Sequence, residues 1–487
     1  MKKVLFQTTL LLLFCIGIFA QTSKQPETGD GSQTNPYRIS SLSNLYWISE
    51  SSERWSYHYI QTSDIDASET INWHDGAGWS PIGYYLYEGD YNNSFTGSYD
   101  GQGHTIDNLY INRPNEDKQQ GLFGIIYLYA SISNLGVTNV DITGDESVGG
   151  LVGWSYCYSN IINCFVTGNI SGNSDVGGIA GAIMTECSIK DSYFIGDVEG
   201  DLAGGITGFN VNSSVINSYS KGSVSGDGVG GLVGINTNSA KIKNSYNKSN
   251  VTGNAIAGGL VAQNLGNSSV NNCYSKGDVT GNNQVGGLIG FIWEASVTNS
   301  YSIGSVTGGT EVGGLIGFNL QADVTNSYWD METSGQTSSQ GGTGRTTDEM
   351  TYPHSNNTYT GWDFQNIWSE DINHSVNKGY PFLMEKPTSI SKTTNQIEEI
   401  LVYPNPFRSE ITIRFNYSGN DPVKLIIYNT AGQTVKVVDS FSKDNKGYYF
   451  VWHSNADNNT DVLPGVYFAV IRSNTKLLGS SKILLIK

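Results

Sequence analysis

Val229, Gly230, Gly231, Leu232, Val233, Gly234, followed shortly by Ile242, Lys243, Asn244, Ser245, Tyr246, is the stretch on which the fold turns. The glycine pair recurs with its first member at Gly149, Gly177, Gly204, Gly230, Gly258, Gly286 and Gly313, a period of 26 to 28 residues. Gly121, Leu122, Phe123, Gly124 is a degenerate earlier copy. An aliphatic residue follows each pair, and a second segment supplies an aromatic column: Phe165, Tyr193, Tyr219, Tyr246, Tyr274, Tyr301 and Tyr328. Gly, Asn, Ser, Thr and Val dominate, which rules against helix and favours short strands between turns. Such a period predicts an all-β parallel β-helix, a β-solenoid with one rung of about 27 residues per repeat. Spacing by two puts Val215, Asn217 and Tyr219 on one strand face, so the tyrosines are expected to stack inside successive rungs with an Asn ladder beside them. The glycines are expected to supply corners of positive φ and close approach between rungs.

The motif Gly, Gly, Leu, Val, Gly with the trailing Asn, Ser, Tyr resembles the GLUG repeat over residues 121–330. Asp100, Gly101, Gln102, Gly103, His104 resembles that family's opening rung, and Trp362 through Trp368 to Pro381 and Leu383 resembles the segment after its last rung. The resemblance implies a parallel β-helix of the kind found in adhesin-like bacterial surface proteins and beside the protease domain of IgA-cleaving metallopeptidases. Leu42, Leu45, Tyr46 and Ile48 fall at helical spacing and predict a short capping helix over 41–50.

After a polar linker at 386–398 the composition changes to short β-rich runs between turns, as expected of a small Ig-like β-sandwich. Tyr403, Pro404, Asn405, Pro406, Phe407, then Tyr428 to Gln433 with Gly432, Gly465 to Tyr467, and the terminal Lys482 and Lys487 resemble the type A C-terminal sorting domain of the type IX secretion (Por) system of Bacteroidetes. That resemblance implies an export signal read by the secretion machinery and removed at the outer membrane. At the other end, Lys2 and Lys3, the apolar run from Val4 to Phe19 and Ala20 before Gln21 form a secretory signal pattern, too short and too interrupted to span a bilayer. The expected layout is a signal over 1–20, an N-terminal cap and opening rungs over 21–120, repeats over 121–330, a C-terminal cap segment over 331–385, the linker over 386–398 and the sorting domain over 399–487. The mature chain is expected outside the cell or on its surface, without an integral membrane span.

The 487 residues carry a formal net charge of −17 while residues 399–487 are net positive. An acidic body argues against a nucleic-acid partner and against a polyanionic glycan, and along the sequence Lys and Arg cluster nowhere in it. Cys164 and Cys273 fall in one column four rungs apart and cannot bridge; Cys157 and Cys187 are two positions out of register.

The chain has no zinc-protease helix motif, no nucleophile elbow and no phosphate-binding loop, and no cofactor is expected. Gly226, Gly228 and Gly231 match a dinucleotide fingerprint but lie at a corner between rungs. Asp64 with Asp66 and His74 with Asp75 are equally explained as turn and capping residues. One position in the repeat carries Trp154, Phe209, Phe291 and Phe318, interrupted by Ala182, Ile235 and Gln263. Facing outward these rings form a strip suited to sugars; facing inward they fill a corner of the core, the preferred reading because such residues are more often buried. The function expected is that of an adhesive or scaffold-like surface protein, with a glycan or a host or matrix protein as partner. Glycan binding, or polysaccharide-acting catalysis on a β-helix, is the alternative.

Overall fold

The computed structural model describes residues 21–84, 91–115, 119–384, 397–417, 422–429, 434–444, 447–455, 462–473 and 476–486. The expected signal over 1–20, most of the linker, and Gly432 and Lys487 therefore lie outside the described residues. Contacts divide the chain into two compact units, one up to Thr388 and one from Ser389. Among the described residues no helix is long and apolar enough to cross a membrane.

The first unit is a parallel β-solenoid. Each repeat contributes a strand to an eight-stranded sheet running from Phe123–Tyr127 to Ile316–Leu320 and a strand to an eleven-stranded sheet ending at Asp323–Thr325. The remaining short strands form a third, twenty-stranded face. Pairing between rungs is parallel and links equivalent positions of successive repeats: Val215 with Ile242, Tyr219 with Tyr246, Gly230 with Gly258. Like residues therefore stack, and the core is built of columns such as Leu232, Leu260, Leu288 and Leu315, all fully buried. Each such leucine contributes roughly 1.5–3 kcal/mol. The capping helix is Leu42–Ser49; the Ser41 side chain accepts from Asn44 N, and Leu45 and Ile48 join the solenoid core.

Two expectations about the repeat change. Val215, Asn217 and Tyr219 do not share a face: Val215 points into the core, Asn217 adopts φ 51° at the corner, and Tyr219 opens the next strand pointing outward. The left-handed turn interrupts the two-residue alternation, so the inward positions of that strand belong to Val166, Phe194 and Ser220. The ladder itself is present, with ring centroids 4.9 Å apart between Tyr219 and Tyr246 and 4.8 Å between Tyr246 and Tyr274. It lies outside the coil: Phe165, Tyr193, Tyr219 and Tyr246 are half-buried, while Tyr274, Tyr301 and Tyr328 are covered by the C-terminal cap residues Met350, Tyr359, Trp362, Trp368 and Tyr380.

The paired glycines are not corners of positive φ; that conformation falls on the corner asparagines, including Asn163, Asn217, Asn244 and Asn272. The second glycine of each pair makes room across the coil. A Cβ on Gly178 would lie 2.2 Å from Phe194, and one on Gly231 would lie 2.1 Å from the Asn247 amide. The four described cysteines are free thiols. Cys164 and Cys273 stand in a corner column otherwise occupied by Ser192, Ser218, Ser245, Ser300 and Ser327, whose hydroxyls bond the rung below, as in Ser218 N to Ser245 Oγ at 3.1 Å.

The second unit contains two four-stranded antiparallel sheets, which form the expected small sandwich around Phe407, Phe415, Leu425, Trp452, Ile471 and Ile483.

Candidate functional site

Strand alternation decides the placement of the aromatic strip. On the eight-stranded sheet the column Ile126, Ser155, Ile183, Asn210, Asn236, Asn264, Ile292 is buried and inward. The neighbouring positions Trp154, Phe209, Phe291 and Phe318 therefore face outward; all four are half-buried and none joins the solenoid core. The core placement is thereby corrected. The column is not a continuous strip of rings, because Ala182, Ile235 and Gln263 interrupt it. Phe291 stacks on Phe318 at 5.8 Å, beside exposed Trp293 (41%) and Leu320 (43%). Trp154 packs against Tyr156 at 5.6 Å, and Phe209 stands between Ala182 and Ile235.

The Trp154 end continues into a feature that the repeat pattern does not contain. Tyr91 stacks on Tyr127 at 4.5 Å and on Tyr156 at 5.1 Å. Tyr91 and Tyr127 line a cleft of 420 Å³ together with Ser52, Ser56, Asn92, Ser94, Thr96 and Leu128. Ser94 is almost fully buried and its hydroxyl has no hydrogen-bond partner among the described residues. A small hydroxyl-lined cleft beside stacked aromatic rings suits a sugar: the rings meet its apolar face and the hydroxyls its polar edge. Tyr156 and Trp293 were readable as same-face neighbours two positions beyond the strip. Tyr91 was not, since it comes from the insertion before the first full rung.

Asp64, Asp66 and His74 have structural partners, and Asp75 occupies the short turn His74–Gly76 with φ 56°. Asp64 accepts from Thr105 N and meets His104 at 3.1 Å; Asp66 accepts from Ser68 N. His74 Nδ1 lies 2.8 Å from Gly78 O. Gly226 and Gly228 lie within the strand Tyr219–Gly230 and not at a strand-to-helix turn, which removes the dinucleotide match.

In the second unit the sorting-motif residues hold the last strand. Asn405 Oδ1 accepts from Leu484 N at 2.8 Å, Phe407 N donates to Leu484 O at 3.0 Å, and Ile486 N donates to Phe407 O. Tyr403 places its hydroxyl 3.1 Å from Arg414 Nε, and Arg414 forms a bidentate pair with Asp444. Pro404 and Pro406 flank Asn405, Gly465 opens the strand Gly465–Ser473, and Tyr467 packs on Trp452 at 5.4 Å.

Residues 401–487 match the secretion system C-terminal sorting domain, and residues 144–171, 225–252, 253–280 and 281–307 match the GLUG motif. The chain is a GLUG-repeat β-solenoid protein with a C-terminal secretion sorting domain. The sorting domain marks this GLUG protein for secretion or the outer cell surface and implies contact with the secretion machinery. Halomucin of Haloquadratum walsbyi is 40% identical over 168 residues, 33% of this chain and 2% of halomucin. A candidate Gly-rich membrane protein of Evansella cellulosilytica is 30% identical over 172 residues, 32% of this chain and 18% of its own length. The GLUG protein thus spans a small part of the curated relatives it matches. A solved structure of a candidate immunoglobulin A1 protease from Bacteroides ovatus is 19% identical, with a TM-score of 0.43 over 74% of this chain and 95% of that one.

Proposed function

We propose that the exported protein is adhesive, a rigid solenoid scaffold that presents a carbohydrate-binding cleft. The layout that goes with this reading is the one expected from sequence, with the cap and opening rungs of 21–120 supplying Tyr91 and the repeats supplying Tyr127, Tyr156 and Trp154. The observation that carries the reading is the Tyr91–Tyr127–Tyr156 stack, whose first two rings line a hydroxyl-bearing cleft with the buried Ser94 hydroxyl, unpartnered among the described residues, at its wall. Phe291, Phe318 and Trp293 form a second, more distant aromatic patch on the same sheet, and two patches on one stiff face favour an extended glycan over a single sugar. Host or matrix proteins and enzymatic cleavage are the competing outcomes. The test is a panel of neutral glycans and matrix proteins probed with the mature chain, with reducing-end release measured on every hit. Binding to a neutral glycan that falls at least tenfold in Tyr127→Ala and in Tyr91→Ala supports the proposal, since a lost ring contact of about 1.4 kcal/mol is tenfold. Glycan binding unchanged in both variants, or binding to proteins alone, refutes it.

A further inference from the structure

We infer a second binding surface, on a different face and for a different chemistry: a lysine-flanked strip along the tyrosine ladder that takes a linear acidic polysaccharide. Residues 119–344 contain six lysines and no arginine. Dispersed along the sequence, they are gathered by the coil onto four consecutive rungs and onto the two faces that meet at one corner. On one side Lys190, Ile216 and Lys243 are in register, with Lys241 beside Lys243 in the same outward orientation. On the other side Ile195 is in register with Lys221. Lys248 N donates to Ser220 O at 2.8 Å and Lys276 N to Asn247 O at 3.0 Å, which continues that column so that Lys221, Lys248 and Lys276 lie one above another.

Between the two lysine columns run the corner amides and the rings. Asn244 Nδ2 donates to Asn217 Oδ1 and Asn272 Nδ2 to Asn244 Oδ1, both at 3.2 Å. Tyr193, Tyr219 and Tyr246 repeat every 4.9 Å with their outer edges half-exposed. Lys248 Nζ sits 4.8 Å over the Tyr246 ring. Lys378 joins from the C-terminal cap: burial, then the neighbouring Lys248 and Lys378 ammonium groups, pull the Lys276 ammonium down to about 8. The acids at the margins are Asp191, which lies 3.9 Å from Lys190 and accepts from Asn217, Asp371, whose carboxylate is taken up by the backbone N–H groups of Ser375, Val376, Asn377 and Gly379, and exposed Asp197 and Asp278 two positions beyond the Lys221 column, which accept from Ser223 Oγ and Ser305 N.

The chemistry of the partner follows from this arrangement. Like charges stacked at rung spacing repel one another, and a bound polyanion relieves the repulsion. In a chain of net charge −17 such a strip steers an anionic partner to one place and one direction, along the solenoid axis. Beyond the ladder's uncovered end the same column is packed by the cap, where Tyr301 donates to Pro381 O at 2.6 Å, so Tyr193, Tyr219 and Tyr246 are the part left to a ligand. Aromatic edges and amides between the cations suit a polymer with hydroxyls and CH surfaces as well as charge. An exported protein meets such polymers as polyuronates or sulfated glycans.

The test uses the mature full-length chain with polygalacturonate, dextran sulfate, neutral dextran and single-stranded DNA as probes, read by calorimetry. At least one of the two acidic polysaccharides binds at 50 mM NaCl, weakens at least tenfold at 300 mM, and loses at least tenfold in the Lys221→Glu, Lys248→Glu double variant. Neutral dextran does not compete. Lys24→Glu, an exposed lysine paired with Glu27 far along the chain, leaves the affinity unchanged, as does Tyr127→Ala, which separates this surface from the cleft. If the double glutamate variant melts lower than the parent, Lys221→Gln with Lys248→Gln replaces it, with a loss of threefold or more expected. Affinity unaffected by either double variant, dextran binding as tight as the acidic polymers, or tighter binding of single-stranded DNA overturns the inference.

Discussion

Asn236→Ile tests whether the buried amide ladder inside the coil acts as a unit. Asn210, Asn236 and Asn264 are fully buried on three successive rungs, bounded by Ile183 and Ile292 in the same column. Asn210 Nδ2 donates to Asn236 Oδ1 at 2.7 Å, and Asn236 Nδ2 donates to Asn264 Oδ1 at 2.7 Å. Replacing the middle residue strips the Asn210 donor and the Asn264 acceptor of these bonds, at about 1–3 kcal/mol for each buried orphan. Burying an isoleucine returns about 1.5–3 kcal/mol. The net expectation is a loss of roughly 1–3 kcal/mol. Replacing Asn210, Asn236 and Asn264 together leaves no amide orphan in the column and extends the isoleucine stack that already flanks it, so the triple variant should be at least as stable as the parent. Urea unfolding of the mature chain, followed by far-UV circular dichroism and compared at constant m, reads both. A single variant as stable as the parent, or a triple variant less stable than the single one, would refute the idea that the ladder's cost lies in half-satisfied amides.

Asp175 is pushed up to about 6 by burial and then by the neighbouring Glu146. A carboxyl raised above its unfolded value stabilises the fold below about pH 4, and the contribution is lost as pH rises through about 6. Asp175→Asn, which tolerates the φ of 53° there, should therefore raise stability at pH 7 by about 1–3 kcal/mol, and the gain should vanish near pH 4; an equal or lower urea midpoint at pH 7 contradicts this. Excising residues 231–258 joins Gly230 to Gly259 at equivalent points of adjacent rungs, so the product should keep its β circular dichroism signal and a cooperative melt, and loss of either contradicts the one-rung repeat. Deleting residues 399–487 should leave a folded solenoid trapped in the periplasm, and mass spectrometry of the surface form of the parent should find no peptides from that segment. Normal export of the truncated chain, or an intact tail at the surface, would make the segment an ordinary binding module.

Translational symmetry made much of the fold legible. When a sequence repeats every 27 residues or so and each repeat is one coil, residues equivalent in sequence become neighbours in space. The tyrosine, leucine and asparagine columns could therefore be assigned without coordinates. The capping helix at Leu42–Ser49 and the antiparallel C-terminal unit were likewise readable, from helical spacing and from turn-separated β runs. Which way a column faces was not. A single corner residue in the left-handed region, Asn217, reverses the alternation that carries a side chain inward or outward, and this moved the tyrosine ladder from the inside of the coil to its surface. The same ambiguity concealed that Trp154, Phe209, Phe291 and Phe318 face out, and that Cys164 and Cys273 take the places of ladder serines. Tyr91 reached the cleft from an insertion with no repeat to index it. The six lysines looked scattered because linear separation hides what a coil brings within a rung of itself. The period, the stacking partners and the export address are legible in the linear chain, since these depend on local propensity and register. The tertiary structure alone decided which columns meet solvent, which are covered by the cap and which charges gather, because these depend on how the corners turn the chain.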